Sequence, residues 1–282
     1  MKYKIKITTF FLIFAFILNV NAQEKKKIII LHSNDTHSQV EPTDHRSKEP
    51  DMGGYARRMG VIDSIRNAEQ NVLLLDAGDF WQGTPYFNFF NGRVEIDAMN
   101  RMKYDVATLG NHEFDNGMDT LALILQKANF QIVDANYDVS ATVLRDLVKP
   151  YVVLERFGVR IGVFGLSPDP HGLVFEKNYR GIIFKDPIKT AVAMSNYLKK
   201  KEKCDLIICL SHIGTEDLEQ YDNDFKIARA STYIDVIIGG HSHTLVADNT
   251  VVPNKKGKFV VLSQMGKSGL YLGKIELELI KK

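Results

Sequence analysis

The chain has 282 residues, with 36 lysines and arginines against 34 acidic residues, eight histidines and two cysteines. So even a balance leaves no basic stripe and excludes a nucleic-acid polymer as partner. Cys204 and Cys209 would lie ~16 Å apart on one strand, which excludes a disulfide between them and makes both buried core thiols.

Residues 1–22 read as an export leader. Lys2, Lys4 and Lys6 form a cationic start, Phe10 to Leu18 an apolar run, and Asn19-Val20-Asn21-Ala22 a cleavage site before Gln23. The apolar run falls short of the ~20 residues that span a bilayer, so no stable membrane anchor is expected. The expectation is an exported, periplasmic protein whose single domain is 23–282. Cleavage removes three lysines and leaves the mature chain close to neutral.

From there, apolar runs alternate with amphipathic segments. Runs at 27–32, 71–76, 106–109, 131–135, 159–166, 206–210 and 233–238 predict strands, their continuous Ile, Leu and Val content implying burial on both faces. Segments 54–67, 94–102, 118–127, 188–201 and 223–230 predict helices, while 44–51 and 254–258 read as solvated loops. Segments 258–263 and 270–279 predict late antiparallel strands. The order implies an α/β fold with helices packed outside sheet.

Chemical groups gather where these runs end, which is where open α/β sheets bind ligands. They are Asp35-Thr36-His37, Gly78-Asp79, Gly110-Asn111-His112-Glu113, Ser211-His212 and Gly240-His241-Ser242-His243. Asp35 and His37 are two apart on a segment expected to be extended, so both side chains leave one face. His241 and His243 repeat that spacing behind two glycines that permit close approach. Singly, Asp35-Thr36-His37, Gly78-Asp79 and His212 read as ordinary turns or packing; five patterns at five strand ends point to a metal site. Asp35, His37, Asp79, Asn111, His212, His241 and His243 form an oxygen and nitrogen donor set without thiolate, suited to Mn, Zn, Fe or Co. Seven donors exceed the need of one ion, which implies two divalent ions sharing Asp79 and able to clamp a phosphoryl group. His112 points away from its neighbour Asn111, and Asp115 lies three residues on. The pair suits protonation of a leaving group, although Asp115 is also placed to cap a helix near Gly117. His32, His45 and His171 match no pattern and read as non-ligands. Trp81 with Tyr86, Phe87, Phe89 and Phe90 reads as core or interface packing, with an aromatic rim as the alternative.

These motifs resemble the calcineurin-like metallophosphoesterases and, within them, the catalytic domain of the 5′-nucleotidases. Narrower matches are Gly53-Gly54-Tyr55-Ala56-Arg57-Arg58, Asp76-Ala77-Gly78-Asp79-Phe80-Trp81-Gln82-Gly83-Thr84, Gly239-Gly240-His241-Ser242-His243-Thr244 and the stretch Gln264 to Gly273. The resemblance implies a four-layer αββα sandwich, with Asp35, His37, Asp79 and His243 on one metal and Asp79, Asn111, His212 and His241 on the other. It also implies His112 with Asp115 as the catalytic dyad. The function it implies is two-metal hydrolysis of small phosphate esters, first of all a nucleotide phosphomonoester. Cyclic-nucleotide, nucleotide-sugar and sulfur-ester hydrolysis are the alternatives, and a non-catalytic metal-binding subunit ranks below them. Family members typically carry a second, C-terminal domain that binds the nucleoside. The sequence ends at Lys282, directly after the last expected strand. The expectation is therefore either action without that domain or a separate chain that supplies it.

Overall fold

The computed structural model describes residues 25–216, 222–247 and 250–280. The leader expected at 1–22 lies outside them. The strands are β1 (Lys25–Ser33), β2 (Val72–Asp76), β3 (Val106–Thr108), β4 (Gln131–Val133), β5 (Tyr137–Asp138), β6 (Val148–Lys149), β7 (Tyr151–Arg156), β8 (Val159–Leu166), β9 (Ile183–Phe184), β10 (Leu206–Ser211), β11 (Val236–Gly239), β12 (Leu245–Val246), β13 (Val251–Pro253), β14 (Phe259–Met265) and β15 (Gly273–Ile280). The helices are α1 (Tyr55–Ala68), α2 (Pro85–Phe90), α3 (Arg93–Met102), α4 (Met118–Leu125), α5 (Glu176–Tyr179), α6 (Pro187–Lys200) and α7 (Asp224–Ala230), with a 3-10 turn at His112–Phe114.

Two large sheets result. The first runs β15-β1-β2-β3-β4-β6, parallel except for β15, which pairs antiparallel with β1. The second runs β12-β14-β11-β10-β8-β7, with β13 also on β14. Its inner strands β8, β10, β11 and β14 are parallel, and β7, β12 and β13 are antiparallel edges.

Alternation along the strands sets the layers. Ile28, Ile30, Leu73, Leu75 and Val106 of the first sheet pack against Ile161, Val163, Ile208, Leu210 and Ile238 of the second. The intervening Ile29, Leu31, Leu74 and Ala107 face the other way, onto α1, α3 and α4. Ile207, Cys209 and Ile237 face α6 and α7. Helices, sheet, sheet and helices therefore stack as αββα, the expected sandwich, and strands covered on both faces explain the unbroken apolar runs.

The late segments form strands as expected: β15 pairs antiparallel with β1, and β14 is antiparallel to β12 and β13 but parallel to β11. One expectation needs correction. The run at 233–238 starts its strand late, at Val236. Cys204 and Cys209 are free and buried, as expected.

Candidate metal centre

Both sheets deliver their parallel strands to one end, and every candidate ligand follows a strand there. Asp35 and His37 lie beyond β1, Asp79 beyond β2, Asn111 and His112 beyond β3, His212 directly after β10, and His241 and His243 beyond β11. Backbone bonds tie the first two turns together, with Asp35 N donating to Gly78 O at 2.9 Å and His37 N to Asp79 O at 3.0 Å.

Donor atoms from these loops converge within 4.8 Å in three overlapping groups: Asp35, His37 and His243; His37, Asp79 and His112; and Asp79, His212 and His241. Asp79 stands in two of the groups, as does His37. His37 Nε2 and His243 Nε2 approach to 2.9 Å, and His212 Nε2 lies 2.9 Å from Asp79 Oδ2. His212 Nδ1 faces Ala77 O at 2.6 Å, which makes it the donor and leaves Nε2 free to coordinate.

The backbone here differs from the extended segment expected. Asp35 (φ 45°), His37 (φ 44°), Asp79 (φ 53°), His241 (φ 68°) and His243 (φ 55°) all occupy the left-handed region. Left-handed residues at five candidate ligand positions turn the chain sharply enough for side chains from separate loops to meet, at a cost the surrounding hydrogen bonds sustain. Close approach is what Gly240 provides: a Cβ there would lie 2.7 Å from His212 Nδ1.

The residues fit divalent metal on their own chemistry. Asn111 Oδ1 is buried without a hydrogen-bond partner, unusual for a buried polar atom unless a ligand completes it. Burial, helped by the charge on His212, pushes His241 down to about 4, and burial lowers His37 as well. Both rings are thus neutral and able to give a lone pair. Burial alone would depress His212, but the carboxylates of Asp79 and Asp35 beside Nε2 push it up to about 10. Burial likewise opposes ionisation of Asp79, yet the charge on His212 holds it well below the usual carboxylate range. Positive charge is what this pocket stabilises, and a divalent cation could supply it in place of the proton.

His112 sits at the rim, 31% exposed, with Nδ1 2.8 Å from Asp115 Oδ2. Burial works against its charge, but Asp115 and Asp79 outweigh it and raise its pKa. Asp115 makes no cap to α4, whose N-cap is Gly117, so its side chain serves His112. His32 is buried against Ser263, His45 pairs with Asp44 on the surface, and neither joins the cluster. His171 is exposed and lines an adjoining cleft of about 830 Å³, together with Leu173, Phe184, Ile213, Asp169 and Asp222. The aromatic segment divides: Trp81 and Phe87 are buried, while Phe89 and Phe90 are exposed.

Three supporting residues had no role in the sequence reading. Glu113, fully buried, accepts from Gly110 N, Asp79 N and Trp81 N, so it fixes two ligand loops at once. Asn34 Nδ2 donates to Asp35 Oδ2 and to Gly266 O. Gln264 donates to Gly240 O and accepts from Thr244 N, clamping both ends of the His241–His243 turn. Each is a polar residue inside an apolar or ligand-bearing stretch, the one signal that singles it out.

Residues 28–245 match the calcineurin-like phosphoesterase family model. The chain is 31% identical over 287 aligned residues to the Trifunctional nucleotide phosphoesterase protein YfkN of Bacillus subtilis, covering 90% of this chain and 18% of that protein. It is 34% identical to the 5′-nucleotidase of Homo sapiens, covering 89% of this chain and 46% of that one. The solved 5′-nucleotidase precursor of Thermus thermophilus superposes with a TM-score of 0.81 at 35% identity, covering 89% of this chain and 51% of its own. The chain thus spans about half or less of the length of these relatives. The match runs through every strand end described above, from Asp35 to His243, and the chain belongs to the calcineurin-like phosphoesterase family, whose members work with divalent metals.

Proposed function

We propose that this chain is a two-metal phosphomonoesterase of the 5′-nucleotidase kind. The observation that carries the reading is the convergence of Asp35, His37, Asp79, His212, His241 and His243 around shared Asp79, with the unpartnered Asn111 Oδ1 beside them. Asp35, His37, Asp79 and His243 would hold one ion, and Asp79, Asn111, His212 and His241 the other. Mn, Zn, Fe or Co suits this donor set. Bound there, the pair would supply Lewis acidity to phosphoryl oxygens and activate a water for in-line attack.

The protein's own part lies in positioning and proton handling. His212 is fixed in one tautomer by Ala77 O, and Asp35 is fixed by Asn34 and by His241 N. Asp115 accepts from His112 Nδ1 and favours the imidazolium, whose Nε2–H is the proton given to the leaving alkoxide as the P–O bond breaks. The adjoining cleft combines apolar walls at Pro168, Leu173, Phe184 and Ile213 with the carboxylates of Asp169, Glu216 and Asp222, room for a small organic leaving group.

Nucleotides are the substrate class we infer, because the relatives named above are nucleotidases or nucleotide phosphoesterases. A separate chain that supplies a nucleoside-binding surface is one partner this reading allows; action without such a surface is the other reading. An export leader at residues 1–22, the reading the sequence supports, would put this work outside the cytoplasm, in a periplasm. Phosphate release from AMP and from p-nitrophenyl phosphate, measured on metal-stripped protein refilled with Mn²⁺ or Zn²⁺, tests the reading. Metal-restored release from either ester is expected, and release from the aryl ester alone would assign nucleoside recognition to the partner. No release from either ester under any metal contradicts it.

A further inference from the structure

Ser242 stands between His241 and His243, two candidate ligands that serve different ions in the reading above. Both of these neighbours are left-handed, at φ 68° and φ 55°, a conformation that residues other than glycine keep only where their surroundings fix it. Apolar packing does little of that work here. His241 and Ser242 are half-buried, and His243, Thr244 and Leu245 are exposed. The turn is held by polar contacts instead. One runs from His241 N to Asp35, and most of the others meet at Ser242 and Gln264.

Those contacts have a definite direction. Gln264 is fully buried, and its Nε2 donates to Gly240 O at 2.8 Å, which fixes the orientation of the amide. Its Oε1 is left to accept from Thr244 N at 2.6 Å and from Ser242 Oγ at 3.1 Å. A hydroxyl has one proton and two lone pairs. With the proton given to Gln264, Ser242 Oγ is an acceptor on its other side, where Thr215 N lies at 3.1 Å and Thr215 Oγ1 at 3.0 Å. Thr244 Oγ1 approaches the same oxygen at 3.1 Å. Thr215 is buried and lies three residues beyond His212, on the loop that follows β10. The same two loops face each other at their ligands, for the rings of His212 and His241 meet edge to face with centroids 5.3 Å apart. One hydroxyl therefore joins three segments: the His241–His243 turn, the His212 loop and β14.

We propose that Ser242 is a positioning residue for the metal centre: through Thr215 and Gln264 its hydroxyl fixes the left-handed turn against the His212 loop, and so keeps His212 and His241 of one half-site and His243 of the other at the spacing that metal requires. The inference rests on the metal reading given above. Groups that orient metal ligands from behind typically change metal affinity by roughly tenfold to a hundredfold.

The test is Mn²⁺ affinity, measured by calorimetry on the metal-stripped protein, with circular dichroism and the urea midpoint of the metal-free chain to report folding. Ser242→Ala is expected to stay folded and to bind Mn²⁺ about tenfold more weakly. A hydroxyl that merely stabilises the fold would lower the urea midpoint and leave the affinity alone, so affinity within twofold of the wild type in folded Ser242→Ala overturns the proposal. Thr215→Val removes one of the two bonds from the His212 loop. It is expected to cost several-fold in affinity by itself but less than twofold on top of Ser242→Ala, because the partner it would lose is already gone. Losses that multiply in full in the double variant overturn the link between the loops, and with it the proposal. Should Ser242→Ala fail to fold, Thr215→Val decides alone: a several-fold loss supports the proposal and unchanged affinity overturns it. A wild-type chain that binds no Mn²⁺ overturns the metal reading itself and this inference with it.

Discussion

His112 stands apart from the other histidines of the site because its ring is oriented by a carboxylate at the rim. His37 and His243 point Nε2 at one another, and His212 is locked by a carbonyl. His112 Nδ1 instead meets Asp115. If its work is proton transfer, His112→Ala should lower kcat by about 10²- to 10⁴-fold and leave Mn²⁺ affinity close to that of the wild type, because Asn111 is untouched. Asp115→Asn, which keeps an acceptor but loses the charge, should cost less in kcat and again spare the metal. Comparable losses of metal affinity in both variants would make the pair structural instead. The identities of these residues were legible before any fold was known, since Asp, His and Asn at strand ends carry their chemistry in their side chains. Their backbone was not. The expected extended face for Asp35 and His37 is a pair of left-handed residues, fixed by bonds their N–H groups donate to the carbonyls of Gly78 and Asp79, more than 40 positions along the chain.

Strands were legible in proportion to their burial. β1, β2, β8 and β10 are mostly apolar along their buried stretches, with His32, Ser33, Asp76 and Ser211 at the site ends, and fall close to their expected places. β7 is an antiparallel edge with half-buried and exposed residues, so its pattern resembles a loop, and β5, β6 and β9 are too short to show a period. The aromatic run at Pro85–Phe90 hides the helix α2, whose two terminal phenylalanines are exposed. Partner choice was illegible as well. β14 and β15 both look like late strands, yet the choice of sheet depends on neighbours more than 20 residues away.

Where the two sheets meet beyond β4 and β8, Asp134 joins them. Its Oδ1 accepts from Asn136 N and Tyr137 N, and its Oδ2 from Ser167 Oγ, which also faces Leu109 O. Burial pushes this carboxyl up to about 6 from 3.8, against those hydrogen bonds. A raised folded-state pKa means stability that is present below pH 3.8 and lost as pH rises through 6. Asp134→Asn keeps an acceptor at Oδ1 and gives Ser167 a donor, with no charge to bury. Its urea midpoint relative to the wild type should therefore rise between pH 4 and pH 8, by an amount worth roughly 2–3 kcal/mol at most. Parallel profiles would mean that Asp134 stays ionised in the fold without penalty.

Stacking the two sheets with their parallel strands ending together is what brings Asp35, Asp79 and Asn111 of one sheet to His212, His241 and His243 of the other. Neither sheet alone supplies a complete set. The αββα class could be read from alternating runs together with the motif resemblance, whereas the bracing by Glu113 and Gln264 could not, because a buried polar side chain reveals its partner only in three dimensions. The central claim is that the two half-sites share Asp79 and hold two ions. The measurement that bears on it most directly is electron paramagnetic resonance of the metal-stripped chain titrated with Mn²⁺, alongside the Asp79→Asn variant. Two Mn²⁺ per chain with an exchange-coupled spectrum, and loss of that coupling in Asp79→Asn, is the expected result. A single uncoupled Mn²⁺ per chain, or coupling that survives in Asp79→Asn, contradicts it.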